Sequence, residues 1–270
     1  GYDRNCNGYV DSHCNIILSD ADADSIFSAS EGFMLSHMSV GDVTGDGEDD
    51  LLLGNSFEQK LYLLASPIDA AAPTSDWVLS IGDAITGTAQ SFDATHDIDG
   101  DGVNDLLLAH HALNDSYEYD NSIEVHLGPF SDAPTVNAPD FELTSTSMER
   151  WGYDGLLLAD VDGDDVSDAI FTNESGDVIR IWSDLTDDGS MESDSLQLAI
   201  ADRSAEGDLA AGDLNADGIN DLIYSSGHSN ILEWNPGPIE DSGYIKTPET
   251  ASYGTAGHEV GAKIRLCDFT

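Results

Sequence analysis

The chain has 270 residues, with 53 Asp or Glu against 8 Lys or Arg and a formal charge of −45. Such a surface repels nucleic acid and anionic membranes, which attract proteins through Lys and Arg, and no apolar run approaches the eighteen or so residues of a membrane span. Acid excess can also signal disorder, but 40% hydrophobic residues in regular short runs predict a folded chain, long enough to bury about three quarters of its unfolded surface.

The chain opens with DRNCNGYVD, in which Asp3, Asn5, Asn7, Gly8 and Asp11 repeat a metal-loop spacing and Tyr9 would offer its backbone carbonyl. Residues 1–14 are set apart as a short Cys-containing segment with two open readings, a small calcium-binding knot stapled by Cys6 or an Asn/Gly-rich turn. The cysteines are Cys6, Cys14 and Cys267, an odd number that leaves a missing partner or an unpaired thiol. Cys6 with Cys14 is one option that spacing alone does not decide.

Four acidic loops follow. Asp42, Thr44, Asp46 and Asp50 carry the oxygens of the first; Asp97, Asp99, Asp101 and Asp105 those of the second. Asp160, Asp162, Asp164 and Asp168 form the third, and Asp213, Asn215, Asp217 and Asp221 the fourth. Alternating oxygen-bearing side chains, with glycines bending the backbone between them, are how a short segment encircles a hard cation, and Ca²⁺ takes six to eight oxygens. The seventh residue of each loop, Glu48, Val103, Val166 or Ile219, would lend its backbone carbonyl. Two like charges 4 Å apart repel by roughly 4 kcal/mol at an effective dielectric near 20. Four carboxylates in one loop make six such pairs, so these loops either splay or hold a cation. Solvated Asp/Gly turns are the plain alternative, but four in register argue against it. Asp268-Phe269-Thr270 repeats the start of the first loop, so a fifth metal loop beginning at Asp268 and a longer parent protein are expected.

The first Asp of each loop falls at 42, 97, 160, 213 and 268, a recurrence of 53 to 63 residues that signals an array or a propeller. Each unit reads as four strands. The first precedes the loop (LSHMSV, SFDAT, GLLLA, DLAAG), and the second is the apolar run after it, as in Leu51-Leu52-Leu53 or Leu106-Leu107-Leu108. The third is KLYLLA, SIEVHLG, DVIRIWS or NILEWN, and the fourth WVLSI, DFELTS, LQLAI or, least clearly, GYIKT. Short apolar runs bounded by turns read as strands buried on both faces. Tyr62, Trp182 and Trp234 on the third strands are expected to pack between sheets. An EF-hand needs a bidentate Glu at loop position 12 and flanking helices; here that position is Leu53, Leu108, Phe171 or Tyr224, inside strand-like runs. The expected fold is an all-β propeller of four-stranded antiparallel blades, with blades near 33–86, 87–147, 148–203 and 204–256 and the start of another at 257–270.

Phe33 followed by VGDVTGDGEDDLLLGN resembles the FG-GAP repeat of integrin α-subunit propellers and their bacterial relatives, with Trp151-Gly152 near the Phe-Gly position of the third repeat. The Gly-Ala-Pro of that pattern is degenerate (Gly54-Asn55-Ser56, Ser225-Ser226-Gly227), and the second and fourth repeats lack a clear Phe-Gly. Asp165 replaces the glycine at position 6 of the third loop, where a positive φ is wanted. The resemblance spans residues 15–270 and implies a propeller with calcium, about four to six ions, on one rim. Four complete repeats and partial ones at each end then belong to a larger ring. DRNCNGYVD separately resembles Cys-containing acidic metal-binding repeats of large bacterial surface proteins.

The expected function is a non-catalytic, secreted or cell-surface scaffold for adhesion, a surface layer or a fibre, stiffened by calcium and capable of self-assembly with other chains. A glycan-binding module is one alternative, with Tyr117, Tyr119 and His126 near the insertion at 111–122 that lengthens the second repeat. The propeller of a polysaccharide-degrading enzyme is the other, with candidate chemistry among the eight histidines, notably His110-His111, or His96 beside the second loop. Neighbouring His110 and His111 in a strand point to opposite faces and make no joint site. Asn114-Asp115-Ser116 and Asn173-Glu174-Ser175 fit the glycosylation sequon.

Overall fold

The structure is a computed structural model. It describes residues 35–55, 60–69, 75–80, 91–113, 119–132, 138–147, 149–199, 207–226, 231–240, 243–244 and 251–252. The expectations for 1–14, for Asp3, Asn5, Asn7, Tyr9 and Asp11, for Asp268 and for all three cysteines lie outside the described residues.

Those residues are all-β. Strands β1 (Leu35–Gly41), β2 (Asp50–Asn55), β3 (Lys60–Leu64) and β4 (Trp77–Ser80) form an antiparallel sheet in chain order. The second sheet repeats the plan with β5 (Phe92–Asp93), β6 (Leu106–Leu113), β7 (Tyr119–His126) and β8 (Phe141–Ser145). In the third, β9 (Trp151–Ala159), β10 (Asp168–Asn173) and β11 (Val178–Trp182) come first; the chain then forms β12 (Gly189–Ser190) before closing the sheet with β13 (Leu196–Ala199). The fourth holds β14 (Gly207–Gly212), β15 (Asp221–Ser226) and β16 (Ile231–Asn235), followed by β17 (Gly243–Tyr244) and β18 (Ala251–Ser252). Position 12 of every loop falls inside β2, β6, β10 or β15, as the strand reading requires.

The uninterrupted apolar runs follow from burial on both faces. Leu106 and Leu108 of β6 pack with Leu52, Leu61, Leu63 and Trp77 of the first sheet. Leu107 and Ala109, pointing the other way, pack with Trp151, Leu156 and Phe171 of the third. In β10, Phe171 joins that second layer while Ile170 faces Leu209 and Leu222 of the fourth sheet. Fully burying a Leu, Ile or Phe side chain contributes roughly 1.5–3 kcal/mol, so these three layers hold the sheets together. Trp182 lies between the second and third sheets, whereas Tyr62 packs with Leu53 and Leu64 on the far face of the first.

Two details correct the sequence reading. GYIKT is not the fourth strand of the last unit: Gly243–Tyr244 pairs parallel with β13 in the preceding sheet, and β18 takes the place beside β16. Gly189–Ser190 does the same to β8. In both cases the connection between third and fourth strands reaches back and covers the outer edge of the sheet before it, a way of closing an exposed edge. Glu192 on the first of these straps accepts from Ser145 Oγ at 2.8 Å and from Ser190 Oγ at 2.8 Å, so it ties the strap to the edge of β8. The expected strand SFDAT shrinks to Phe92–Asp93. Its ladder stops there because Asp93 accepts from Thr95 N at 3.0 Å and Leu158 N at 2.9 Å, while Ala94 N turns to Ser39 Oγ at 3.0 Å. Strands β1, β5, β9 and β14, which lead the four sheets, neighbour one another in that order.

Candidate metal centre

The four acidic loops join first to second strand in each sheet and share one hydrogen-bond plan. The Asp at position 1 folds the backbone around its own carboxylate. Asp97 accepts from Gly100 N at 2.7 Å and Gly102 N at 2.8 Å; Asp42 accepts from Gly45 N and Gly47 N, both at 2.8 Å. Asp160 and Asp213 do likewise toward Gly163 and Gly218. The Asp at position 5 accepts from the amide of residue 7: Glu48, Val103, Val166 and Ile219 donate to Asp46, Asp101, Asp164 and Asp217 at 2.8–3.0 Å. These turns draw the side chains together. Carboxylate oxygens of Asp97, Asp99 and Asp101 lie within 4.8 Å of one another, as do those of Asp160, Asp162 and Asp168. Thr44 and Asn215 at position 3 give the first and fourth loops one carboxylate fewer there.

Position 9, a ligand position by its spacing, is also tied into the fold by hydrogen bonds. Asp50, Asp105, Asp168 and Asp221 are all buried and serve as clamps. Each accepts from the amide of loop residue 2: Val43, Ile98, Val161 and Leu214 donate at 3.1, 2.6, 2.9 and 2.9 Å. Asp50, Asp105 and Asp221 also accept from the chain just beyond the third strand, through Ser66 N, Gly128 N and Gly237 N at 2.8–3.0 Å. A carboxylate with both oxygens on amides locks the loop to its own sheet. In the third loop Asp168 also sits in the carboxylate cluster, so there the clamp and the ligand position coincide.

The donor set fits a hard divalent cation. It consists of carboxylate, hydroxyl and amide oxygens with backbone carbonyls nearby, and no sulfur or imidazole. Thr44 Oγ1, at a ligand position, is shielded from water and has no hydrogen-bond partner among the described residues. The charges are also strained in the direction a cation would relieve. Burial, joined by Asp99, pushes Asp105 above the usual carboxylate range. Burial and then Asp164 push Asp162 up, and burial raises Asp168 to about 6.

Backbone geometry matches the repeat. Position 6 has a positive φ in every loop, including 68° at Asp165, the non-glycine that the sequence flags there. Position 4 is positive too, and in the fourth loop Ala216 takes φ 63° where the others have Gly45, Gly100 and Gly163. An L-residue held there costs about 1–2 kcal/mol, of which the entropy of a freer glycine in the unfolded chain cancels part. Ala216→Gly should therefore raise stability by about 0.5–1 kcal/mol in urea unfolding; a loss would show that the strain is absent.

Among the described residues, His96, His110, His111 and His126 each have a structural partner. His110 and His111 do point to opposite faces. His111 Nε2 lies 2.6 Å from Trp151 O. His110 Nδ1 sits 3.1 Å from Oε1 of Glu124, and His126 Nε2 sits 3.0 Å from Oε2 of the same carboxylate. Ser122 Oγ donates to Glu124 Oε1 at 3.3 Å, and all four residues are buried. His126 therefore does not face a glycan. Tyr117 lies outside the described residues, and the insertion at 111–122 mostly prolongs the β6–β7 hairpin. His96 stays beside the second loop, its carbonyl accepting from Asp105 N at 2.9 Å and its ring 2.7 Å from Thr95 Oγ1. Asn173 is no glycosylation acceptor: it is 1% exposed and its amide donates to Glu149 and Asp177. Glu124 and Arg180 are buried polar groups that sequence reading missed. Arg180 lies over Trp151 and donates to Met191 O and Ser195 Oγ. The available signal was a charged residue inside SIEVHLG and DVIRIWS, on runs otherwise apolar.

No family model matches the chain, and no curated protein matches it. Among solved structures, it is similar to the crystal structure of BBS1N in complex with ARL6DN, soaked with lead, at 14% identity and a TM-score of 0.44, over 81% of this chain. This chain spans 58% of the length of that one.

Proposed function

We propose that the protein is a non-catalytic, calcium-stiffened scaffold of the FG-GAP type, its four sheets serving as consecutive blades of a β-propeller in an extracellular or surface-exposed assembly. One observation carries the reading: the same nine-residue acidic loop, with the same turns, recurs at the same corner of all four sheets. Residues at positions 1, 3, 5 and 9 would hold each ion, joined by the carbonyl at position 7, and position 9 would also keep the loop shut. Calcium bound there supplies positive charge to carboxylates otherwise crowded against one another. The rest is done by the chain: the loops are short, clamped at Asp50, Asp105, Asp168 and Asp221, and continuous with buried strands. Stiffening a loop therefore stiffens a sheet.

The large acid excess supports a salty, calcium-rich setting, since repulsion between exposed charges is screened within about 8 Å at physiological ionic strength. The buried histidines, each committed to a structural partner, support a non-catalytic role. Bound calcium is the test. After equilibration with Ca²⁺ and removal of free metal, mass spectrometry of the folded chain should count at least four ions, and Asp101→Ala should lose one. A chain that retains none overturns the reading.

A further inference from the structure

The first two acidic loops touch, and the contact between them is reciprocal. Asn104, at position 8 of the second loop, donates its backbone N–H to Asp42 O at 2.8 Å. Its side-chain Oδ1 accepts from Asp42 N at 3.1 Å. Asp42 is the first residue of the first loop, so both of its peptide groups rest on one residue of the other loop. Asn104 is flanked by Val103, the predicted carbonyl donor, and by Asp105, the buried clamp.

The chain past β7 closes the joint. Gly128 N donates to Asp105 Oδ1 at 2.8 Å, and Phe130 N donates to Val43 O at 2.8 Å, so one short segment binds both loops. There is little slack. A Cβ added to Gly128 would lie 2.8 Å from Val103 Cγ1 and 2.9 Å from Asn104 O; one added to Gly41 would lie 2.0 Å from Ala94 O.

We infer that the first and second loops bind Ca²⁺ cooperatively, with Asn104 as the positioning residue that couples them; this rests on the calcium reading above. Closing the second loop around an ion fixes residues 103–105. Asn104 then fixes Asp42, so the first loop has less conformational freedom left to lose when its own ion arrives. Ordering by one ligand that spares a second ligand the same loss is positive cooperativity.

The experiment is a Ca²⁺ titration of the full chain, following backbone amide signals by NMR. Gly45 and Gly47 report the first loop, Gly100 and Gly102 the second, and Gly218 the fourth as a control. Blocking the second loop with Asp101→Ala should raise the calcium midpoint of the first loop at least about fivefold, the low end of common coupling between sites. In an Asn104→Ala background, which keeps the backbone bond to Asp42 O but loses the side-chain one, the same block should shift it clearly less than in the native chain, and Gly218 should titrate unchanged throughout. If Asn104→Ala disturbs Gly218, Asn104→Asp, which keeps the acceptor oxygen, should retain the fivefold effect. An unmoved first-loop midpoint on blocking the second loop overturns the inference, as does a full shift that persists without Asn104. If no loop titrates, the calcium reading itself falls.

Discussion

Chelation should cost this protein most of its stability. A ligand that binds only the folded chain at a hundred times its Kd contributes about 2.7 kcal/mol per site. Four loops would then supply roughly 11 kcal/mol, against a total of about 5–15 kcal/mol for an ordinary domain. The loops explain why the loss would be global. Each opens directly into a strand buried on both faces, such as β6 or β10, and in three of them a buried Asp also clamps the loop to an amide of the chain beyond the third strand. With EDTA the carboxylates of Asp97, Asp99 and Asp101 repel one another without relief, and the turns that hold them loosen. At about 2–4 °C per kcal/mol for a chain of this size, the melting temperature should fall by roughly 20–40 °C and return with Ca²⁺. A melting curve indifferent to EDTA would remove calcium from the account.

The second large effect is expected far from the loops, at Glu124. Burial alone would raise its pKa. Hydrogen bonds and charge from His110 and His126 outweigh that and hold it at about 2, below the ordinary 4.5. A carboxylate depressed in this way contributes stability that is fully present above about pH 4.5. That contribution is lost as pH falls through about 2. Glu124→Gln leaves two buried histidines facing a neutral amide between the first and second sheets. Removing one member of a buried charged group costs about 3–5 kcal/mol, so near neutral pH the variant should be less stable by about 3 kcal/mol. The gap between the two proteins should narrow as pH drops from 4.5 toward 2, because the native carboxyl becomes neutral as well. Urea unfolding across that range checks it; a gap independent of pH would mean that the ionised carboxylate is not what stabilises the layer.

The loops and the strands around them were legible because their signals are local. Turn-forming Asp at fixed spacing, glycine at positions needing a left-handed backbone, and leucine runs with no polar face each act within a few residues. Even the unusual φ of Asp165 could be read this way. What escaped depends on partners far along the chain. Asn104 meets Asp42 across 62 residues, and Asn in a loop predicts a hydrogen bond without saying to what. Position 9 reads as one more ligand by spacing, but its second role as a clamp depends on burial and on the distant amides of Ser66, Gly128 and Gly237. Gly243–Tyr244 joins the preceding sheet because two residues carry too little pattern to choose a partner strand. His126 entered only the glycan-binding alternative, through its nearness to the insertion, and its pairing with Glu124 depends on which face of the strand is turned inward.

The most direct measurement is anomalous scattering from crystals grown in Ca²⁺. The account predicts a peak within the oxygen cage of each of the four loops, surrounded by residues 42–50, 97–105, 160–168 and 213–221. Well-ordered loops with water or nothing at those centres would contradict it.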